Sequence, residues 1–275
     1  MRLPNWYRVE ENGVRYYRAW NLHTSRMVSH GFSTRIGGVS REPYNTLNLG
    51  LAVDDDPETV LANRRAFAGA LDIDPERIVV PRQVHSNIVK VVTEADAGAG
   101  ALDHATAIVD ADALVTNVPN LPLALHFADC VCIYLLDPVN RAIGVVHAGW
   151  RGTVAKIVTA AVEAMNHEYG TGPGDIQAAI SPSICRNCFV VGKDAAEEIF
   201  KAFPHDSRIL SQSATDKWFA DLKNANYILL RRAGVPGANI AISQECTSCN
   251  PEDFFSYRRD GKTGRMGGWM SLRDV

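Results

Sequence analysis

The chain has 275 residues, 46% of them hydrophobic, which is ample for a substantial core and excludes disorder as its main state. Its 28 Lys+Arg against 31 Asp+Glu leave a formal net charge of -3, so no global field draws it to nucleic acid. No apolar run approaches the ~18 to 20 residues of a membrane span, and the opening MRLPNWYRVEENG turns acidic where a secretory signal needs an apolar stretch. The expectation is a cytoplasmic protein with neither membrane nor nucleic acid as partner.

In chain order, the first strand-like run is Val14 to Trp20. Asp56-Pro57-Glu58 is a helix start, an N-cap followed by Pro at the first turn, and Val60, Phe67 and Leu71 give the helix a buried side. Short strands are expected at Ile78 to Val80 and Ile88 to Val92. The small, acidic, Gly/Ala-rich segment Thr93 to Asp110 follows as a mobile surface loop bordering a cleft or a domain. Leu121 to Phe127, Val131 to Leu136 and Ala142 to Val146 are apolar strands. From Thr153 to Glu168, Val154, Ile157, Val158, Ala161, Val162 and Met165 recur at helical spacing, the stripe of a helix packed on a sheet. Strands at Ile176 to Ile180 and Ile240 to Ile242 flank two further helices, Asp194 to Phe203 and Phe219 to Ala233, the latter stopped by Gly234 and Pro236. No repeat, low-complexity tract or linker divides the chain, so residues 1–275 read as a single domain. Strands and helices interleave without strict alternation, which predicts a layered α/β or α+β fold with mixed sheets.

Three segments carry chemistry. AIGVVHAGWRG, Ala142 to Gly152, is a strand that ends in His147, passes a glycine turn and opens a helix. A polar side chain there lies where layered folds place ligands, the alternative being a satisfied core histidine. In LPLALHFADCVCIYLLDP, two apolar runs are interrupted at Ala128-Asp129-Cys130. Cys130 reads either as a thiolate, nucleophile or metal ligand, or as a small buried hydrophobe, and Cys132, deeper in the run, as the latter. PRQVHSN sets His85 in a turn between strands. Two imidazoles and a thiolate make a three-ligand set that suits catalytic zinc with an open position, and also copper, although separations of 45 and 17 residues match no metal motif.

The remaining cysteines form two C-x2-C pairs, Cys185/Cys188 and Cys246/Cys249, with 57 residues between them. They resemble the halves of a four-cysteine zinc site, but the spacer is longer than in compact zinc modules, and unpaired thiols are the alternative.

The segments HGFSTRIGG (His30 to Gly38), NLG at Asn48, QVHS (Gln83 to Ser86), DAL (Asp112 to Leu114), ADC (Ala128 to Cys130), HAGWRG (His147 to Gly152) and FFSYRRDGKTGR (Phe254 to Arg265) occur in this order across nearly the whole chain. Together they resemble the YfiH-type family, also called the multicopper polyphenol oxidase or laccase-domain family. The resemblance implies a CNF/YfiH-like fold, a single α/β domain with mixed β-sheets between helical layers. It also implies a metal-dependent purine nucleoside phosphorylase acting on adenosine, inosine and S-methyl-5'-thioadenosine, with adenosine deaminase activity. Its metal ligands, which are also its catalytic residues, would be His85, Cys130 and His147, holding Zn2+ or, with the same donors, Cu2+. The substrates would be a nucleoside and phosphate.

For the phosphate, Arg35, Arg151, Arg258 and Arg259 lie in or beside these segments, with Arg35 and Arg258 the preferred pair and surface or structural ion pairs the alternative. Phe32, Trp150, Phe255 and Tyr257 are candidates for stacking on a purine or for packing, and Asp129 for orienting a ligand histidine or capping a turn. Two other catalytic readings stay open: a copper-dependent polyphenol oxidase, and a Cys130-His147 hydrolase editing peptidoglycan precursors. In a third reading the same trio only holds a structural metal. A four-copper oxidase is disfavoured, because the chain has eight His and no His-x-His. The H-x-E and P-C-x-x-C pattern of nucleobase deaminases, the P-loop and the G-x-S-x-G elbow are also absent.

Overall fold

Two adjacent strands, β7 (Val131–Asp137) and β8 (Ala142–Ala148), are buried at every position, and their alternate residues feed two different cores. Val131, Ile133, Leu135, Val146 and Ala148 join one cluster, Cys132, Tyr134, Leu136, Ile143 and Val145 another. A period of two with both faces apolar is the pattern of a central layer, which is why these strands read in sequence as continuous hydrophobic runs. The structure, a computed structural model, describes residues 5–204 and 206–274, so the first four residues of the N-terminal segment read above lie outside them.

The central layer is a six-stranded mixed sheet in the order β13 (Ile240–Ile242), β9 (Gln177–Ile180), β7, β8, β5 (Ala113–Thr116), β4 (Val89–Val91). The outer pairs β13/β9 and β4/β5 are parallel and the inner pairs antiparallel. One face packs on α4 (Ile157–Tyr169) and α6 (Leu222–Arg232), whose Ile157, Val158, Ala161, Val162, Met165 and Leu229 supply the helical side of that core. The other face packs on a five-stranded antiparallel sheet ordered β1 (Trp6–Glu11), β2 (Val14–Ala19), β3 (Val28–Ser33), β14 (Met266–Leu272), β6 (Leu123–Phe127). Phe32, Leu125, Phe127 and Met270 point into this inter-sheet core. Their strand neighbours Tyr16, Ala124 and Trp269 point the opposite way and meet Phe67 and Leu71 of α2 (Pro57–Leu71). The order of layers is therefore helix, sheet, sheet, helix, as the expected mixed sheets between helical layers require. A three-stranded sheet, β10 (Val190–Val191), β12 (Lys217–Ala220), β11 (Leu210–Ala214), lies beside α5 (Lys193–Ala202). The short α1 (Trp20–Ser25), α3 (Trp150–Val154) and α7 (Tyr257–Asp260) complete the helices.

Several boundaries differ from the sequence reading. Asp56 caps α2 by accepting from Glu58 N, as its motif indicates. The helix expected over Thr153 to Glu168 is two helices, broken where Lys156 takes a left-handed φ of 62°. Phe219 belongs to β12, and α6 starts after Asp221, whose carboxylate accepts from Asn224 N at 2.9 Å. Ile78 to Val80 forms no strand of its own, only a bridge between Val79 and Leu123. The Thr93 to Asp110 segment holds two 3₁₀ turns and is clasped by the buried Arg64, whose Nη1 donates to the carbonyls of Gly100 and Ala101.

Candidate metal centre

Cys130 precedes β7 and His147 is the penultimate residue of β8. These strands pair antiparallel, with Cys132 opposite His147, so the start of one meets the end of the other and two residues 17 apart in sequence become neighbours. Asp112 precedes β5 on the other side of β8, and its carbonyl accepts from His147 N at 2.7 Å. Its carboxylate Oδ1 also takes His147 Nδ1, at 2.8 Å. A carboxylate on Nδ1 fixes the ring and leaves Nε2 as the ligand atom.

The same carboxylate holds the third residue. His85 sits in the left-handed region at φ 61°, which turns successive N–H groups inward. Val84 N and Ser86 N donate to Asp112 Oδ2 at 3.3 and 2.6 Å, His85 N to Oδ1 at 3.0 Å, and Ser86 Oγ to Oδ2 at 2.8 Å. This is an anion nest whose anion is the protein's own side chain. Asp112 was not read as a site residue in the sequence, although its signal, the DAL segment, was visible.

The ligand atoms of His85, Cys130 and His147 lie within 4.8 Å of one another, and the two imidazole centroids are 4.9 Å apart. Gly149, at the turn into α3, makes room for them: a Cβ there would stand 2.9 Å from His85 Cδ2 and 3.1 Å from Cys130 Sγ. Burial alone would raise the Cys130 thiol, but His147 and His85 outweigh it and bring it down to about 6. Burial would likewise lower His147, yet Cys130 and Asp112 carry it up to about 9. Asp112, which burial would raise, is held at about 2 by its bonds from His147 and Ser86. The cluster thus favours a thiolate beside a cationic or metal-bound imidazole.

Asp129 adopts an unusual φ of 87° for a residue with a side chain. It is fixed by Thr247 Oγ1 on Oδ1 at 2.6 Å and Arg258 N on Oδ2 at 2.7 Å, and its carbonyl accepts from Ile184 N at 3.0 Å. It positions the Cys130 backbone and does not touch the histidines. Cys132 is fully buried in the inter-sheet core, as its place in the run indicates.

The trio opens on a cavity of about 470 Å³, also lined by Gln83, His104, His126, Tyr257 and Arg265. This is within the usual range of small-molecule sites. His104 comes from the Thr93 to Asp110 segment, which therefore borders the cleft. Neither Arg35 nor Arg258 is among the lining residues. Arg35 donates to the carbonyls of Asn45 and Pro251 and lies over the Phe255 ring, while Arg258 donates Nη1 to Val190 O over Phe189. Arg259 is likewise engaged by the carbonyls of Thr247 and Phe254, and Arg151 lies over Trp150. The arginines that line the cavity are Arg64, spent on three carbonyls, Arg82, paired with Asp110, and Arg265, which donates only Nη1, to Thr263 O and Gly264 O. Of the four aromatics, Tyr257 lines the cavity, Phe32 and Phe255 are fully buried, and Trp150 packs at the edge of the helical core.

The fold and this constellation define a layered α/β protein with a thiolate and two imidazoles gathered at the end of its central sheet. Residues 29–273 match the family model described as multi-copper polyphenol oxidoreductase laccase, and the chain belongs to that family. It is 38% identical over 253 residues to the purine nucleoside phosphorylase YlmD of Bacillus subtilis (strain 168), covering 91% of each chain. It is 41% identical over 232 residues to the adenosine deaminase RL5 of an unknown prokaryotic organism, covering 84% of this chain and 88% of the relative. The crystal structure of YlmD from Geobacillus stearothermophilus superposes with a TM-score of 0.92 at 37% identity, over 98% of this chain and all, 100%, of the other. Among the described residues no helix is long and apolar enough to cross a membrane.

Proposed function

We propose that the chain is a zinc-dependent purine nucleoside phosphorylase that acts on adenosine, inosine and S-methyl-5'-thioadenosine, and that it also deaminates adenosine. The observation that carries this reading is the convergence of His85, Cys130 and His147 on a cavity of about 470 Å³, in a chain whose relatives bear those activities in their names. The lining runs from Gly50 to Arg265, which supports treating residues 1–275 as one catalytic domain.

The residues fit a metal ion: two imidazoles and a thiolate in reach of one another, a carboxylate on one imidazole, and a glycine where any side chain would displace two donors. Bound there, zinc supplies Lewis acidity and a lowered water pKa at an open position. The chain does the rest. Asp112 keeps the Nδ1 proton of His147 and the geometry of the His85 turn. Tyr257 offers a ring to the purine. Arg265, whose Nε and Nη2 make no hydrogen bond among the described residues, offers two donors to phosphate, which replaces the base at the ribose carbon in phosphorolysis.

Copper is the alternative ion for these donors. Among the described residues the trio is the only group of three or more potential ligands that contains imidazole, so the geometry supports one metal at the cavity. The test is phosphate-dependent release of adenine from adenosine on protein of known metal content, before and after chelation and zinc restoration. Turnover that chelation abolishes and zinc restores is the expected result; a fully metallated protein inert toward all three nucleosides would overturn it.

A further inference from the structure

We propose that Cys185, Cys188, Cys246 and Cys249 bind a second, structural zinc ion, separate from the cavity trio. Their sulfurs all lie within 4.8 Å of one another, with Cys249 Sγ 3.4 Å from Cys188 Sγ and 4.0 Å from Cys185 Sγ. A tetrahedral ion with Zn–S bonds of about 2.3 Å places its sulfurs about 3.8 Å apart, midway between these two distances. One Cys249 sulfur shared between two partners is the geometry of a common centre rather than of paired disulfides, whose sulfurs meet two by two.

The surrounding backbone is built for such a centre. Each C-x2-C is a turn closed on its first cysteine: Cys188 N and Phe189 N donate to Cys185 O at 3.1 and 3.0 Å, and Asn250 N to Cys246 O at 3.1 Å. A bridge between Ser183 and Cys246 sets the turns side by side, and Cys185 N donates to Cys246 Sγ at 3.2 Å, an N–H aimed at a sulfur that is a thiolate when it binds metal. Four thiolates around one divalent ion leave a net charge near -2, and a half-buried cation stands by: Lys223 lies beside Cys185 in the adjoining cleft and donates Nζ to the carbonyls of Ser243 and Glu245. The four donors are all sulfur and close the coordination shell, so the site is structural and not catalytic.

Its position shows what it would secure. Ile184, next to one pair, donates to Asp129 O, and Thr247, within the other, donates to Asp129 Oδ1. The ion would join two segments separated by 57 residues at the point where both grip the residue preceding Cys130.

The test is zinc stoichiometry and sulfur coordination on the full chain purified under reductant. The wild type is expected to carry two zinc per chain by native mass spectrometry, with X-ray absorption giving an average of about 2.5 sulfurs per zinc at about 2.3 Å, against 1 if only the cavity trio is filled. Cys249→Ser should lose one equivalent, and His147→Ala should keep an all-sulfur zinc. Zinc with an average of only one sulfur ligand in the wild type, or a mass deficit of paired hydrogens that marks disulfides, overturns the proposal without recourse to any variant, whereas a single zinc with four sulfurs upholds it. Because the readout is metal count and ligand type, the result is independent of whether the nucleoside reading holds.

Discussion

Replacing Asp112 by Asn tests the organisation of the metal centre while changing no proposed ligand. The carboxylate accepts from Val84 N, Ser86 N and Ser86 Oγ on Oδ2 and from His85 N and His147 Nδ1 on Oδ1. An amide keeps one oxygen and puts an NH2 where the other was. If the oxygen takes the Oδ1 place, the amide group confronts the N–H of Val84 and Ser86; if it takes the other, it confronts His85 N and His147 Nδ1. The Ser86 hydroxyl can rotate to accept, but two donors lose their acceptor in either orientation. At about 1 to 3 kcal/mol for each buried or half-buried donor left unpaired, Asp112→Asn should cost roughly 2 to 6 kcal/mol of stability. Because both histidines are held by this group, zinc affinity should fall about 10- to 100-fold. Urea denaturation of the metal-free forms measures the first quantity, and competition against a fluorescent zinc chelator the second. An Asp112→Asn protein that binds zinc within twofold of wild type would refute the argument that this carboxylate sets the donor geometry.

Three other substitutions or conditions test separate links. Gly149→Ala puts a methyl 2.9 Å from His85 and 3.1 Å from Cys130 Sγ, so metal affinity and turnover should both drop at least about 10-fold with an unchanged circular dichroism spectrum; wild-type affinity would show that the donors can move aside. Arg265→Ala should raise the KM for phosphate by about 10-fold or more while leaving zinc content intact, with Arg265→Lys recovering part of it, whereas an unchanged phosphate KM would move the anion site elsewhere. The protein should also lose stability in mild acid through His30, whose Nε2 accepts from Ala19 N and which burial, with Arg18, His23 and Arg273 adding positive charge, lowers from 6.5 to about 3. The unfolded chain protonates this residue below 6.5 and the folded chain does not, so the contribution is complete above that pH and is lost as pH falls toward 3. At pH 5 the loss is about 2 kcal/mol. Denaturant unfolding at pH 7.5 and 5.0 should show a smaller difference for His30→Gln than for wild type, and equal differences would remove His30 from the account.

Local sequence carried the central layer well, because β7 and β8 are apolar on both faces and their hydrophobic runs cannot be mistaken for a surface strand. It carried β3 and β14 poorly. VSHGFS and MGGWMSL contain Ser and Gly that lower strand propensity, and these segments are strands because neighbours on both sides complete their ladders. The break between α3 and α4 was likewise invisible, since the apolar stripe continues through it and only the backbone at Lys156 reverses. At the site, His85, Cys130 and His147 were legible as interruptions of apolar strands. Asp112 was marked only by its place in the DAL segment and its role was not legible, because a carboxylate before a short strand looks like a turn residue until the β5/β8 register sets it against His147. Arg35 and Arg258 stand outside the cavity lining for a related reason: motif membership brings them to notice, but carbonyl acceptors from distant segments decide where their guanidinium groups go. The four cysteines met for the same reason that the trio did, through a pairing of segments far apart in sequence.

The donors of the cavity trio are not anchored alike. His147 rides on a strand at the middle of a buried sheet and Cys130 leads directly into the strand paired with it, whereas His85 rides on a turn fastened to Asp112 by hydrogen bonds. Were an ion bound there, the turn would be the weaker side of its grip, because His85 can move with the turn while Cys130 and His147 stay with the sheet. How long such a metal stayed would then depend on a loop, on how readily three amide groups and the Ser86 hydroxyl let go of one carboxylate, with the sheet preserving the other two donors.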